Sequence, residues 1–172
     1  LFYDEEPVNG IIYRMKRIGK DGKTIKVYKF RTMNPYAEYL QSFLFEKNSL
    51  KEGGKFRNDF RITSWGRFLR KYWIDEIPMI INFLKREIKL VGVRPLSKQY
   101  YSLYSQELKE IRFKFKPGLL PPFYADMPKT LDEIMESEKK YLVAYEKNPF
   151  KTDFKYFFKI ILNIILRRAR SS

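Results

Sequence analysis

The sequence predicts an α/β protein of the α+β type, a mainly helical single domain with an N-terminal β-hairpin. Three observations support this fold class. Near the start, two segments rich in β-branched and aromatic residues flank a glycine-containing turn. Most of the remaining chain carries apolar residues at helical spacing. Hydrophobic residues make up 44% of the 172 residues, and no linker or repeat divides them, so we expect one domain over residues 1–172.

Two parts of the chain are predicted to form strands. The hairpin is expected to pair residues 10–17 with residues 24–31. The tetrapeptide Gly-Lys-Asp-Gly at 19–22 lies between them and supplies the residue types that tight turns favour. A further short strand is predicted over residues 88–93, and residues 116–123 are predicted to form an irregular apolar loop.

Helical periodicity covers six segments. Pro35 opens the first of them. Thr63 or Ser64 caps the second, which runs to about residue 72. Pro78 fits the first turn of the third, over residues 75–85, because that turn needs no N–H from proline. The remaining helices are expected over residues 100–115, 130–147 and 150–169.

The last predicted helix is amphipathic in an unusual way. Lys155, Lys159, Asn163 and Arg167 recur every four residues as a narrow polar stripe, and apolar residues fill the wide remaining arc. The apolar stretch of about 13 residues rises only about 20 Å, short of the roughly 30 Å of a bilayer core. Its basic end, residues 167–170, suits phospholipid headgroups. We therefore expect an amphipathic helix at the membrane interface; the alternative is a deeply buried core helix.

Charge and composition restrict the chemistry. The chain has 35 Lys and Arg against 20 Asp and Glu, and the net charge of +15 favours a nucleic acid, an anionic membrane or a phosphorylated substrate as partner. Cysteine and histidine are absent, which excludes disulfides, thiolate or imidazole ligands, and nucleophiles activated by histidine. Catalysis would have to use carboxylates, Lys, Arg, Tyr or an oxygen-bound metal such as Mg²⁺.

Two adjacent carboxylates at the start of the third helix are the main candidates for catalysis. Taken alone, Asp75 and Glu76 would be an ordinary helix N-cap. Arg67, Arg70 and Lys71, however, lie within two turns upstream, and a helix N-terminus offers free N–H groups. Such a place suits both a bound phosphate and a carboxylate that attacks phosphorus. The second carboxylate would bind Mg²⁺ or transfer a proton.

Other basic residues adjoin the predicted strands. Lys29 and Arg31 are two residues apart and are therefore expected on the same face of their strand. Arg94 follows a strand and precedes Pro95, which stiffens the turn and makes it suitable as a phosphate clamp. The alternative for each residue alone is an ordinary solvated base.

Seven short runs of the sequence, in order, resemble motifs of the bacterial sugar transferases, the monotopic polyprenol-phosphate phosphoglycosyl transferases. The runs are residues 13–22, 28–33, 61–70, 74–78, 82–85, 90–95 and 116–118. The resemblance implies a phosphoglycosyl transferase catalytic domain on the cytoplasmic face of the inner membrane. It also implies that the family's membrane-entering helix was removed or lies upstream of Leu1, and it leaves an oligomer possible.

The resemblance further implies a mechanism. Asp75 would attack the β-phosphate of a UDP-sugar, releasing UMP and leaving a covalent phosphosugar that polyprenol phosphate then accepts. Glu76 matches the second acid of this dyad, and both carboxylates would act with Mg²⁺. Arg70 and Arg94 match basic positions near the nucleotide diphosphate, and Lys29 matches the lysine of a strand motif.

Some positions match the family's pattern and others depart from it. Pro95 matches the proline that fixes the arginine turn, and Asp153 matches an aspartate that precedes the family's last helix. Val93 replaces a usual proline, and Glu87 replaces a common aspartate. Residues 119–123, Leu-Leu-Pro-Pro-Phe, replace a small glycine-containing stretch, so we expect a change in the sugar or acceptor pocket.

Two alternatives to the enzyme remain at the level of sequence. The altered loop at 119–123 is compatible with a catalytically silent family member that binds lipid phosphate or a partner. The net charge and the 2 Trp, 13 Tyr and 15 Phe are compatible with a nucleic-acid-binding module. The second alternative leaves the apolar C-terminal helix unexplained, and we expect no nucleic acid as partner.

Overall fold

The computed structural model of the protein describes residues 10–35, 37, 40 and 59–166. Over these residues the fold is α+β, as the sequence predicts, with an antiparallel hairpin followed mainly by helices. Apart from two isolated residues, the helix predicted after Pro35 lies outside the described residues, as do the basic residues 167–170.

The predicted hairpin is confirmed. Strands β1 (Ile12–Ile18) and β2 (Thr24–Phe30) pair along their whole length. A 3-10 turn at Lys20–Gly22 joins them, and Asp21 and Gly22 both have positive φ, 56° and 69°. Glycine adopts this conformation without steric cost and aspartate tolerates it, so the turn residues predicted from the sequence have a physical role.

Helix α1 (Ser64–Lys71) begins where the sequence predicts. Thr63 is its N-cap and accepts a hydrogen bond from the Gly66 N–H at 2.9 Å. The same threonine donates to the Thr32 carbonyl from its hydroxyl (3.2 Å) and from its backbone N–H (3.0 Å). A Cβ on Gly66 would stand 1.9 Å from that carbonyl oxygen. Helix α1 therefore packs on the backbone just beyond β2 at a distance that only glycine permits.

The third predicted helix forms as two shorter elements. A 3-10 helix (Ile74–Met79) contains the adjacent carboxylates and Pro78, and helix α2 (Ile80–Leu84) continues from it. The tight winding begins directly after Trp73, whose backbone is left-handed at φ 61°. The predicted α-helix over 75–85 is therefore wrong for its first half.

Asn82 joins helix α2 to the hairpin. Its side chain is 0% exposed, and its Nδ2 donates to the Lys26 carbonyl at 2.7 Å and to Glu87 Oε2 at 2.6 Å. Its Oδ1 accepts from the Tyr28 N–H at 3.0 Å. Because each polar group of this buried amide is bonded, Asn82 fixes helix α2, and with it the preceding 3-10 helix, beside β2.

A second, parallel pair of strands contradicts the predicted loop at 116–123. Strand β3 (Lys89–Val91) pairs with β4 (Gly118–Leu120). A Cβ on Gly118 would stand 2.2 Å from the backbone nitrogen of Gly92, so the strands approach closely where glycine occurs. Three-residue strands paired across a long separation leave no periodicity in the sequence, which is why the loop was expected.

The helix predicted over 100–115 is divided into α3 (Lys98–Ser102) and α4 (Gln106–Phe113). Ser97 caps α3 by accepting from the Tyr100 N–H at 3.1 Å, and Ser105 caps α4 by accepting from Leu108. The second serine starts a new helix because its side chain replaces the missing backbone partner.

Three helices complete the described chain: α5 (Phe123–Asp126), α6 (Leu131–Lys147) and α7 (Pro149–Leu166). The last two agree with prediction. The main core lies between β3, β4 and helices α4 to α7, and it includes Val91, Val93, Leu108, Tyr141, Leu142 and Ile160.

Helix α7 buries part of its polar stripe. Asn163 is buried and donates from Nδ2 to the carbonyls of Tyr124 (3.0 Å) and Ala125 (2.8 Å). Lys159 donates to Asp126 Oδ1 at 2.7 Å. The opposite, apolar arc is exposed, namely Phe150, Phe154, Phe158, Leu162 and Ile165. The alternative of a deeply buried core helix is therefore wrong. Among the described helices, none is both long and apolar enough to cross a bilayer.

Candidate active site

Asp75 and Glu76 lie on the 3-10 helix between α1 and the hairpin, and both are buried. Strand β2 packs against this helix, and α1 leads into it through Trp73. The sequence predicted these carboxylates at a helix start with basic residues nearby. In the fold they are buried, and three basic residues lie near them: one from a strand, one from a helix and one from a turn.

Lys29 of β2 contacts Glu76 directly. Its Nζ donates to Glu76 Oε1 at 2.5 Å, and both side chains are largely buried. Burial lowers the pKa of Lys29 below its ordinary value, and the neighbouring Glu76 carboxylate opposes this effect. The ion pair thus compensates two charges that would be costly to bury alone.

Asp75 differs from its neighbour in having an unpaired oxygen. Asp75 is only 4% exposed, and its Oδ1 is buried with no hydrogen-bond partner in the described part of the chain. Burial raises the pKa of Asp75, with Lys29 and Arg70 opposing the shift and Glu76 adding to it. A buried polar atom without a partner is rare in proteins, so this oxygen is a candidate for contact with a ligand or for a catalytic role.

Arg70 reaches the carboxylates from the last turn of α1. Its Nε donates to Thr32 Oγ1 at 2.9 Å, which holds the guanidinium beside the end of the hairpin. Burial lowers the pKa of Arg70, and the negative charges of Asp75 and Asp59 oppose this shift. The close packing of Gly66 on Thr32 therefore also places Arg70, one helical turn later.

Arg94 reaches the same carboxylates from the turn after β3. Its guanidinium carbon lies 5.9 Å from the ring centroid of Phe123, and the following Pro95 is buried. Burial disfavours the charge of Arg94, but nearby Tyr124, Glu76 and Asp75 outweigh burial and raise its pKa. Lys29, Arg70 and Arg94, which the sequence placed on a strand, a helix and a turn, therefore meet at the dyad.

Three other basic residues singled out in the sequence do not join this group: Arg31, Arg67 and Lys71. Arg31 follows the end of β2, where its Nε donates to the Gly10 carbonyl at 3.1 Å and its guanidinium lies 5.0 Å from the Tyr13 ring centroid. Its role in substrate binding stays a prediction. Arg67 and Lys71 are exposed on α1, so the upstream basic cluster divides into one inward and two outward residues.

Aromatic residues pack together beside Arg94, a feature that the sequence did not predict. The ring centroids of Trp73 and Tyr124 are 4.3 Å apart, and those of Tyr124 and Phe123 are 4.2 Å apart. The Nε1 of Trp73 is buried without a hydrogen-bond partner among the described residues. The apolar segment 119–123, which ends at Phe123, thus contributes to this aromatic group next to Arg94. Trp73, two residues before Asp75, was the signal for it in the sequence.

Asp153 belongs to a separate cluster. It lies inside helix α7, whereas the resembling motif has an aspartate before the last helix. Lys89 Nζ donates to both of its oxygens at 3.1 Å, and the Tyr141 hydroxyl donates to Oδ1 at 2.6 Å. Burial lowers the pKa of Lys89 to about 8. This cluster joins β3, α6 and α7.

The dyad is compatible with a magnesium ion. Within the described residues no group of three or more acidic side chains could hold a metal. Mg²⁺ does not need such a group, because it commonly binds through one or two carboxylates together with substrate phosphates and waters. The unpaired Asp75 Oδ1 and the carboxylate of Glu76 are the oxygens that fit it.

Comparisons with known proteins identify a family and several relatives. Residues 3–167 match the family model described as bacterial sugar transferase. The galactosyl transferase CpsE of Streptococcus agalactiae is 38% identical over 109 residues, 63% of this chain and 24% of that protein. The undecaprenyl-phosphate galactose phosphotransferase of Salmonella typhimurium is 34% identical over 113 residues, with 63% and 24% covered.

A third relative is the UDP-glucose:undecaprenyl-phosphate glucose-1-phosphate transferase of Escherichia coli, 36% identical over 111 residues, with 63% of this chain and 22% of that protein covered. The chain thus spans about a quarter of the length of these relatives. Because the family model covers nearly all of its residues, the chain belongs to the bacterial sugar transferase family.

Proposed function

We propose that the protein transfers a phosphosugar from a UDP-sugar to polyprenol phosphate, with Asp75 as the nucleophile. The observation that carries this proposal is the buried, unpaired Oδ1 of Asp75 next to three cations from three elements. A polyanionic diphosphate needs such cations, and the attacking carboxylate needs an oxygen that is not already bonded. The two relatives named as undecaprenyl-phosphate transferases support the same class of reaction.

The proposed first step is a displacement at the β-phosphorus of the donor. A carboxylate oxygen of Asp75 bonds to that phosphorus, while the bond from the phosphorus to the bridging oxygen breaks and its electron pair leaves with UMP. Lys29, Arg70 and Arg94 bind the diphosphate and stabilise the negative charge that develops on the leaving UMP. The sugar keeps its bond to the β-phosphate throughout.

The proposed second step regenerates the enzyme. A phosphate oxygen of polyprenol phosphate attacks the same phosphorus, and the bond to Asp75 breaks to restore the carboxylate. Mg²⁺, when bound by Asp75 and Glu76, would neutralise part of the phosphate charge. Glu76 and Lys29 hold each other in place beside the nucleophile in both steps.

Exposed apolar residues support a membrane location for this reaction. Ile77, two residues after the buried Asp75, is 52% exposed, and Ile80, Ile81 and Leu84 continue this exposed surface. Helix α7 exposes its own apolar arc. A lipid acceptor must reach the dyad, and apolar surface beside it allows this at the bilayer interface. We infer peripheral or monotopic binding to the cytoplasmic face of the inner membrane.

A catalytically silent relative is the weaker alternative. The altered segment 119–123 motivated it, but that segment places Phe123 beside Arg94 and leaves the dyad and its cations together. The arrangement therefore favours an active enzyme whose pocket differs in shape. The sugar that this pocket accepts is the part of the proposal most dependent on the loop.

The test uses the full chain in detergent or lipid nanodiscs with Mg²⁺, undecaprenyl phosphate and a panel of UDP-sugars. We expect UMP release with at least one sugar, and a loss on the order of 10³-fold or more in Asp75→Asn. Without acceptor, intact mass spectrometry should show the protein heavier by one phosphosugar, and Asp75→Asn should show none. Wild-type protein that releases no UMP from any donor would contradict the proposal.

A further inference from the structure

A buried ion pair behind the active site contacts the backbone of Arg94. Arg112 of α4 donates through Nη1 to Glu138 Oε2 of α6, and both residues are buried, Glu138 at 1% exposure. Through its other terminal nitrogen, Nη2, Arg112 donates to the Arg94 carbonyl at 2.7 Å. One guanidinium thus joins a core carboxylate to the turn that carries an active-site cation.

We propose that Arg112, oriented by Glu138, is a positioning residue that fixes the direction of Arg94. This inference rests on the proposed function, in which Arg94 binds the donor diphosphate. Arg112 itself does not touch the dyad in the contacts of the described residues; it acts through the main chain of Arg94.

The turn is anchored on both sides of Arg94. Gly118 donates its N–H to the Val93 carbonyl at 2.8 Å, and Ile18 donates to the Leu96 carbonyl at 2.9 Å. Between them, Pro95 has no N–H and a fixed φ, so it cannot anchor the turn through a backbone donor. The bond from Arg112 supplies the missing restraint at residue 94. With this bond, the backbone at residue 94 is already ordered. Less conformational entropy is therefore lost when the Arg94 side chain extends toward the dyad.

The chemistry of the link requires arginine in particular. A guanidinium is planar and presents separate N–H groups in a fixed fork, so it can bond Glu138 and the Arg94 carbonyl at the same time. A lysine ammonium is a single donor centre and cannot span both partners in this geometry. The ring of Tyr104, 5.1 Å from the guanidinium carbon, further restricts the plane of Arg112.

A purely stabilising ion pair would be the simpler explanation, and it makes a different prediction. Replacing a buried ion pair by apolar residues of similar volume is often neutral or stabilising. The double variant Arg112→Met/Glu138→Met should therefore fold, yet it lacks the bond to Arg94. If the pair only stabilises the core, this variant should bind and react like the wild type.

The experiment measures inorganic pyrophosphate binding by calorimetry in magnesium-free buffer, and UMP release with UDP-glucose and UDP-galactose. We expect the double variant to bind pyrophosphate about tenfold more weakly, with a raised KM, while its Tm stays near that of wild type. Arg112→Lys should weaken binding similarly. In an Arg94→Ala background, the double substitution should have no further effect, because both changes act through one side chain.

Leu108→Ala is the control. Leu108 is a buried residue of the same helix that does not bond the turn, so its truncation should lower the Tm and leave pyrophosphate binding unchanged. Unchanged binding in the double variant, effects additive with Arg94→Ala, or no effect of Arg94→Ala itself would each overturn the inference. Tenfold weaker binding together with no UMP release by wild type would overturn the proposed function alone.

Discussion

The Nζ of Lys29 lies 2.5 Å from Oε1 of Glu76, and their side chains are only 14% and 9% exposed. This contact joins residues 47 positions apart and connects the hairpin to the 3-10 helix that holds the dyad. Neither charge is fully compensated by solvent, so each depends on the other. The same ion pair therefore both positions the dyad and stabilises the packing of the hairpin on the 3-10 helix.

Removing one partner of this pair should therefore cost more than removing both. We expect Lys29→Met and Glu76→Met each to lower the free energy of unfolding by about 3 kcal/mol, because each leaves a buried charge without its partner. The double variant Lys29→Met/Glu76→Met should recover most of this stability but not UMP release. Urea denaturation and the UMP assay measure the two effects; additive stability losses in the double variant would refute the coupling.

Asp75 should show a conflict between activity and stability. Burial raises the pKa of Asp75, so in the folded protein its carboxyl holds its proton to higher pH than in the unfolded chain. Stability from this group is therefore present at low pH and lost as pH rises above the ordinary value of 3.8 toward the raised one. We expect Asp75→Asn to abolish UMP release while raising the free energy of unfolding at pH 7 by about 1 kcal/mol.

The same shift should appear in the kinetics of the wild type. A nucleophilic carboxylate must be ionised, so kcat/KM should fall on the acid side with a midpoint above that of an ordinary aspartate. Chemical denaturation over a pH series and initial rates over the same series check both expectations. If Asp75→Asn is less stable than wild type at pH 7, burial does not destabilise the ionised Asp75 as argued.

Gly66 should tolerate no side chain. A Cβ would stand 1.9 Å from the Thr32 carbonyl oxygen, so Gly66→Ala must push α1 off the hairpin and move Arg70 with it. We expect a loss of about 3 kcal/mol in stability and a higher KM for the donor. Gly10→Ala is the control, since its nearest neighbour would be 3.9 Å away. Thermal unfolding is measured for both variants. Equal Tm values for Gly66→Ala and Gly10→Ala would show that the close packing at Gly66 does not limit stability.

The parts of the fold that were predictable from sequence depend on local chemistry. The hairpin turn at 19–22, the Thr63 cap and the long helices α6 and α7 each have a signal within a few residues. The pairing of β3 with β4 does not, because it brings together residues nearly thirty positions apart through glycines that merely permit approach. Ser105 did carry a cap signal, but continuous apolar spacing on either side concealed it.

The candidate site shows the same division. Asp75 and Glu76 were identified from neighbouring bases, but their burial follows from packing of β2 and the 3-10 helix. The sequence grouped Arg31 with Lys29, whereas the end of β2 intervenes and Arg31 bonds the Gly10 carbonyl. The link from Glu138 through Arg112 to Arg94 involves three elements and has no local signature at all.

Lys89 should give the protein a distinct pH dependence in alkaline solution. Burial lowers the pKa of Lys89 to about 8, although Asp153 opposes the shift. Between about pH 8 and 10.5 the unfolded chain then binds more protons at this group than the folded one, so its contribution to stability rises with pH. We expect Lys89→Met to remove this rise. The unfolding free energy of wild type minus that of the variant, measured from pH 7 to 10, should therefore increase above about pH 8. A constant or decreasing difference would contradict the lowered pKa of Lys89.

The exposed arc of α7 should carry membrane binding independently of catalysis. Phe154 and Phe158 are exposed, and their ring centroids lie 4.6 Å apart, so they form one continuous apolar surface. Transfer of a phenylalanine side chain from water is worth about 2 kcal/mol, so Phe154→Ser/Phe158→Ser should weaken binding to phosphatidylglycerol-containing vesicles more than tenfold. Val143→Ser on α6, also at an exposed apolar position, should bind like wild type. Cosedimentation with vesicles measures both, and Tm should change little because neither surface belongs to the core. Equal binding of the Phe variant and wild type would show that α7 does not contact the bilayer.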